Sequence, residues 1–203
     1  MPRTPEQNQA VKEKRRRRLL DVALKMFALK GYTSVTTDSI SRGARVSHGL
    51  FYRYFSSKDD AYQAVVKNYV LGPCTPFLSS EEMKQHHGIE GLKVFFDIAE
   101  KIQTGDPQNV YIAKVVLDME RGAAKGTVVK DAINRFDLRG TFERLITEGQ
   151  KDGDVIAGDP KEITFAFFDL FTGLFTGLLI SDANLKKPIA KDTLLAMTLK
   201  KPL

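Results

Sequence analysis

The sequence predicts an all-α fold with an N-terminal three-helix domain containing a helix-turn-helix, joined to a C-terminal helical bundle that dimerises. Three observations carry this. Thr36 to Phe55 (TTDSISRGARVSHGLFYRYF) reads as two short helices across a tight turn. From Leu20 onward apolar residues recur at three- and four-residue spacing, without convincing strand alternation. Positive charge gathers at one end: residues 1–60 hold 13 Lys and Arg against 6 Asp and Glu, while the remainder is near neutral. A basic end on a neutral body is the footprint of a module that binds a polyanion. A solubilising basic tail is the plainer reading of the charge alone, and the helix-turn-helix pattern beside it argues for nucleic acid.

The 203 residues can bury a sizeable core. Residues Met1 to Ala10 are polar with two prolines and are expected to lack order. A helix follows the basic run Arg15 to Arg18, with Leu20, Ala23, Leu24 and Phe27 on one face, and ends at Gly31 as a left-handed C′ residue. Thr36 is a natural N-cap for Thr37 to Ala44. Ala44-Arg45-Val46 breaks the chain, and Ser47 caps a second short helix from His48 to Tyr54. Phe51 and Phe55 are expected in the core. A fourth helix opens near Lys58, carries Tyr62, Val65, Val66 and Tyr69 on one face, and stops at Gly72-Pro73.

Residues 73–87 read as a linker with a short helix at Ser80 to Gln85. Beyond it, apolar faces at Leu92–Ala99 and Ile112–Met119 mark two helices, the second starting at Asp106-Pro107. One long helix is expected from Thr127, bent at Gly140 and ending in the turn cluster Gly149 to Gly153. Asp159-Pro160 opens the next, an Asp cap with Pro at the first helical position. From Ile163 to Ile180 it is apolar almost all round, so it is either buried on several sides or crosses a membrane. Asp169 near its middle would be costly in lipid. A subunit interface through Phe168, Phe171, Gly173, Leu174, Gly177 and Leu178 is the better reading, with the glycines allowing close approach and no membrane involved. Pro188 opens a last helix.

The second short helix offers His48, Gly49, Leu50, Tyr52, Arg53 and Tyr54 to a DNA groove. Arg53 and His48 are candidates for base edges and Leu50 for a thymine methyl. The arginines at the entrance of the first helix, Arg15 and Arg17 among them, are expected to grip phosphates or reach into a minor groove, with the others of the run left solvated. Nothing looks catalytic. Cys74 excludes an internal disulfide, suits a reducing cytoplasm and has no His near it in sequence. His86 and His87 are adjacent, so they do not share one ligand face. Zinc spacings and glycine-rich phosphate loops are absent, so no metal or cofactor is expected. No signal-peptide order appears, and the expected location is cytoplasmic.

The run from Arg18 to Tyr62, about a quarter of the chain, resembles the N-terminal domain of TetR-family transcriptional regulators. The resemblance implies phosphate contacts at Thr36, Ser47, Tyr52 and Lys58, with Thr37, Arg42 and Arg45 as further ones. The family has Gly where this chain has Arg45. A left-handed residue with a side chain costs about 1–2 kcal/mol, so either the turn is re-registered towards Gly43 or Arg45 meets a phosphate. The resemblance further implies a homodimer on a palindromic operator of double-stranded DNA. It divides the chain into a DNA-binding domain with a basic arm (1–57) and a ligand-binding and dimerisation domain (58–203). It also implies a cavity for an unknown small apolar or amphipathic effector. Tyr69, Phe95, Phe96, Tyr111, Val115, Met119 and Phe142 are candidates to line it, or simply fill the core. The expected function is a ligand-released repressor; the alternative is a constitutive DNA-binding helical protein without an effector.

Overall fold

A computed structural model of the chain describes residues 4–72, 83, 85–180 and 188–200. Cys74 and most of the expected linker, with its short helix, lie outside the described residues. Ten α-helices account for the architecture among those described. α1 (Pro5–Ser34) starts earlier than the polar composition suggests. Thr4 and Gln7 form a reciprocal capping box around Pro5 at the first helical position, which satisfies free amides that water would otherwise hold. The helix breaks at Gly31 (φ 73°).

α2 (Thr37–Gly43) sits against its second half, and α3 (His48–Tyr52) packs on α2. Gly43 allows the contact with α1: a Cβ there would stand 2.8 Å from a Val22 methyl and 2.7 Å from the Met26 methyl. Leu19, Leu24, Phe27, Ile40, Phe51 and Phe55 close the small core, with Phe51 and Phe55 inside as expected. α4 (Lys58–Val65) joins the same core, since Tyr62 meets the Phe27 and Tyr32 rings edge-on. It continues as a π-helical turn over Val66–Val70.

The C-terminal part holds α5 (Gly88–Thr104), α6 (Pro107–Glu120), α7 (Thr127–Phe136), α8 (Leu138–Asp152), α9 (Pro160–Ile180) and α10 (Lys191–Ala196). The long helix expected from Thr127 is two helices. Asp137 takes a left-handed conformation (φ 38°) between Phe136 and Leu138, so the break lies three residues before Gly140. Gly140 serves that break, because a Cβ on it would come within 2.6 Å of the Asp137 carboxylate. α8 also runs through Gly149 to Asp152, and the turn begins only at Gly153 (φ 84°). α5 and α8 pack so closely that a Cβ at Gly91 would overlap the Leu145 side chain. No strand forms among the described residues; Val155 and Leu199 make an isolated antiparallel bridge.

α6 lies between α1 and α9 and is the main contact between the two parts. Its Lys114–Asp118 pair (2.6 Å) is nearly buried, with Asp118 close enough to help burial hold the Tyr62 phenol above its usual range. α9 is long and apolar enough to span a bilayer by length and composition, yet only a third of its most apolar window is buried in the protomer. Phe165 (56 % exposed) and Ile180 (68 %) face outward with Ala166, Asp169 and Gly173. Phe168 and Phe171 are corrected here: both are buried among the Phe96 and Phe142 rings and the Arg139 guanidinium, not on the outer face. Gly173 and Gly177 do face open space, while Leu174 and Leu178 are half-buried at the edge of that face.

Candidate nucleic-acid interface and apolar cavity

The helix-turn-helix is held by its caps. Thr36 Oγ1 accepts the Ser39 amide (3.1 Å), and Ser39 Oγ donates to the Thr36 carbonyl (2.7 Å). Ser47 Oγ accepts the Leu50 amide (3.2 Å). The turn is not re-registered. Arg45 itself takes the left-handed position (φ 54°), with its amide on the Arg42 carbonyl and the Val46 amide on the Ser41 carbonyl, each 3.0 Å. This pair of bonds closes α2 by the Schellman arrangement that glycine usually serves. The Arg45 side chain is exposed, as is Arg42.

α3 splits into faces. Phe51 points into the core. His48, Gly49 and Tyr52 face outward, Tyr52 at 48 % exposure. His48 is fixed from two sides: its Nε2 lies 3.1 Å from the Asp38 carboxylate and 3.3 Å from the Thr37 hydroxyl, and its ring meets Tyr52 edge-on. Leu50, Arg53 and Tyr54 turn instead towards the N-terminal half of α1, where with Val11, Lys12 and Arg15 they line a surface trough of about 390 Å³.

Two expected contacts are placed elsewhere. Arg17 lies on the far side of α1, in a groove with Tyr69, Asp106 and Asn109, away from α3. Lys58 is half-buried: its Nζ donates to the Tyr32 carbonyl (3.0 Å) and sits 4.3 Å from the Tyr32 ring centre, closing the end of α1. Burial and the neighbouring Asp59 push the Tyr32 phenol up to about 12. Lys12 and Asn8, which share the face of Arg15, were not singled out by sequence; the four- and seven-residue spacing from Asn8 is the signal that finds them.

In the C-terminal part a cavity of about 60 Å³ is enclosed by α5 to α9 and Met83. Its lining is apolar but for Thr141. Of the seven candidate residues only Phe95 lines it. Phe96 and Phe142 stack beside it with Phe167, and Val115 and Met119 are buried elsewhere in the core. Tyr111 is half-buried and does not line it. Tyr69 belongs to the joint between the parts, where it donates to Asp21 of α1. Ile98, Ile102, Val116, Leu117, Phe171 and Phe175 line it instead. A period of 3.6 gives a helix's buried face but not which buried neighbours leave space between them.

Beside the cavity wall Glu120 is nearly buried, 3.8 Å from Arg139 Nε. Burial pushes its carboxyl up to about 7 against the opposing pull of Arg139. Among the described residues no cluster of three or more His, Cys, Asp or Glu suited to a metal occurs.

Residues 19–65 match the family model of the bacterial regulatory proteins of the tetR family, a stretch that includes α2, the turn and α3. The chain is 38% identical over 80 residues (39% of this chain, 31% of the relative) to the HTH-type transcriptional regulator HbdR of an Aromatoleum species. It therefore spans a third or less of the length of the first curated relatives it matches. Solved structures match the fold as a whole. An alanine-substituted HlyIIR mutant aligns at a TM-score of 0.64 with 18% identity, covering 94% of this chain and 99% of that one. AibR, in complex with isovaleryl coenzyme A and operator DNA, aligns at 0.59 with 15% identity, covering 89% and 94%.

Proposed function

We propose, from the match of residues 19–65 to the tetR-family model, that the chain is a cytoplasmic, homodimeric repressor that releases a palindromic operator when a small apolar molecule enters the C-terminal cavity. The observation that carries the DNA part is α3: a short helix with His48, Gly49 and Tyr52 outward, pinned through Phe51 to a rigid core and through His48 to α2. Arg53 at its end is exposed, and on a duplex it would reach base edges. Two such helices, held by paired α9 faces, would meet successive major grooves about 34–36 Å apart.

The effector part rests on α6. Ala113, Val116 and Leu117 line the cavity, and Lys114 and Asp118 on the same helix lie towards α1 and Tyr62 of α4. A molecule that enlarges the cavity displaces α6, and the π-helical turn at Val66–Val70 gives α4 a place to yield. The coupling is bounded by the effector's preference between the two states. At its present size the cavity admits only a very small apolar molecule, so a larger effector must open it. The relative AibR, named with both isovaleryl coenzyme A and operator DNA, supports this two-ligand reading.

Selection of binding sites from random duplexes tests the DNA reading. The selected site is expected to be palindromic, and Arg53→Ala is expected to relax base preference at one position per half-site by about 1–3 kcal/mol. A variant selecting the same site with the same stringency removes Arg53 from base reading.

A further inference from the structure

Thr141 is the one polar side chain among the described residues that line the C-terminal cavity, and it is 6 % exposed. A hydroxyl inside a helix ordinarily settles by bonding the carbonyl four residues back. Thr104, Thr147 and Thr172 do so here, at 3.0, 2.8 and 2.8 Å. Thr141 does not: among the described residues its hydroxyl makes no hydrogen bond. A buried hydroxyl left without a partner is costly. Water is a poor remedy. A buried water typically makes about three hydrogen bonds, and this lining offers it one polar side chain. A charged ligand fits no better, since no ionic side chain lines the cavity to meet it. A pure hydrocarbon would fill the space and leave the hydroxyl unpaired.

From this lone handle we infer that the cavity takes an apolar molecule bearing one hydroxyl or carbonyl oxygen, and that Thr141 sets this preference by pairing with that oxygen. The inference rests on the effector reading above and names the ligand class for the same cavity. A threonine hydroxyl both donates and accepts, so alcohols, phenols and ketones all qualify. The Phe95, Phe168 and Phe171 rings supply the apolar burial around the rest of the molecule. Thr141 lies on α8, and Val116 and Leu117 of α6 share the lining, so a ligand held by Thr141 touches the helix that joins the two parts. A site that hydrogen-bonds its ligand discriminates against analogues lacking the polar atom more strongly than an apolar wall discriminates by shape.

The test is a cycle of two ligands and two side chains. Toluene and phenol differ by methyl for hydroxyl, as do valine and threonine, so water-to-cavity transfer cancels and the pairing alone remains. Calorimetric titration of the full chain gives the four dissociation constants. The same cycle is run on Ile102→Ala, which shortens a wall residue and leaves Thr141 in place. In both backgrounds Thr141→Val is expected to weaken phenol relative to toluene by about fivefold, the worth of one net hydrogen bond, and Thr141→Ser is expected to keep the wild-type preference. Thr141→Val is also expected to melt no lower than the wild type, because no bond within the chain is lost. A phenol-to-toluene ratio unchanged by Thr141→Val, or a clear fall in its melting temperature, overturns the inference and leaves the effector reading standing. A wild type that takes up neither compound, while Ile102→Ala takes up both, refutes the effector reading and the inference with it.

Discussion

Gly49 is a residue the protomer does not need. It is the second residue of α3, where glycine is destabilising relative to alanine by up to roughly 1 kcal/mol, and a Cβ there would meet nothing within 4 Å. On the proposed function, that open space is where the duplex would approach α3. Gly49→Ala is therefore expected to raise stability to chemical denaturation by up to about 1 kcal/mol while weakening duplex binding; unchanged affinity would show that nothing approaches this side of α3. Arg45 poses the related question of why a left-handed position keeps a side chain. Sequence reading located that tension, and the structure resolves it in favour of Arg45 adopting the strained conformation with its guanidinium free of the core.

Glu120 gives a prediction in pH. Its carboxyl is raised from 4.5 to about 7 in the fold, by burial first, so the folded chain holds a proton that the unfolded chain has lost. Folding stability from this group is thus fully present below 4.5 and is lost as pH rises through about 7. Glu120→Gln is expected to melt with the wild type in acid and above it at pH 8. A melting difference that does not change with pH across this window would assign the burial of Glu120 a different role.

Among the elements, caps were the most legible feature and gaps the least. Asp159-Pro160 starts α9 as read, with Asp159 Oδ1 accepting the Lys161 amide at 2.8 Å. Asp106-Pro107 starts α6 in the same way. Thr4-Pro5-Glu6-Gln7 carries the same kind of signal and was masked by the polar composition around it. The break at Asp137 has no comparable sequence signal, since a non-glycine left-handed residue is set by tertiary packing. The cavity lining was legible only at Phe95, because whether buried side chains touch or leave a void depends on how helices from distant parts of the chain cross.

α9 shows both limits. Its apolar length pointed to a covered surface, but the assignment of Phe168 and Phe171 to that surface failed, because both rings turn into their own protomer. Gly177→Trp acts on the exposed face alone, where a Cβ meets nothing. It is expected to leave the melting of the isolated protomer unchanged and to shift the species seen by light scattering from dimer to monomer. A variant that stays dimeric places the interface elsewhere.

At the scale of the whole molecule, charge and apolar surface are segregated. The net +7 of residues 1–60 sits on the part that carries α3, and the uncovered apolar helix lies in the near-neutral part. α6 and the π-helical turn of α4 join them, so among the described residues packed helices link the cavity to the part that carries α3. On the proposed function, what fills the cavity would shift the orientation of α3 along this path.

The most direct measurement is the salt-dependent binding of the purified chain to a pool of random duplexes, followed by sequencing of what it retains. The account predicts tight binding at low ionic strength, a steep fall with added salt, and enrichment of a two-fold symmetric site with half-site centres about one helical turn apart. Indifference to every duplex at low ionic strength, or retention without any symmetric enrichment, would contradict it.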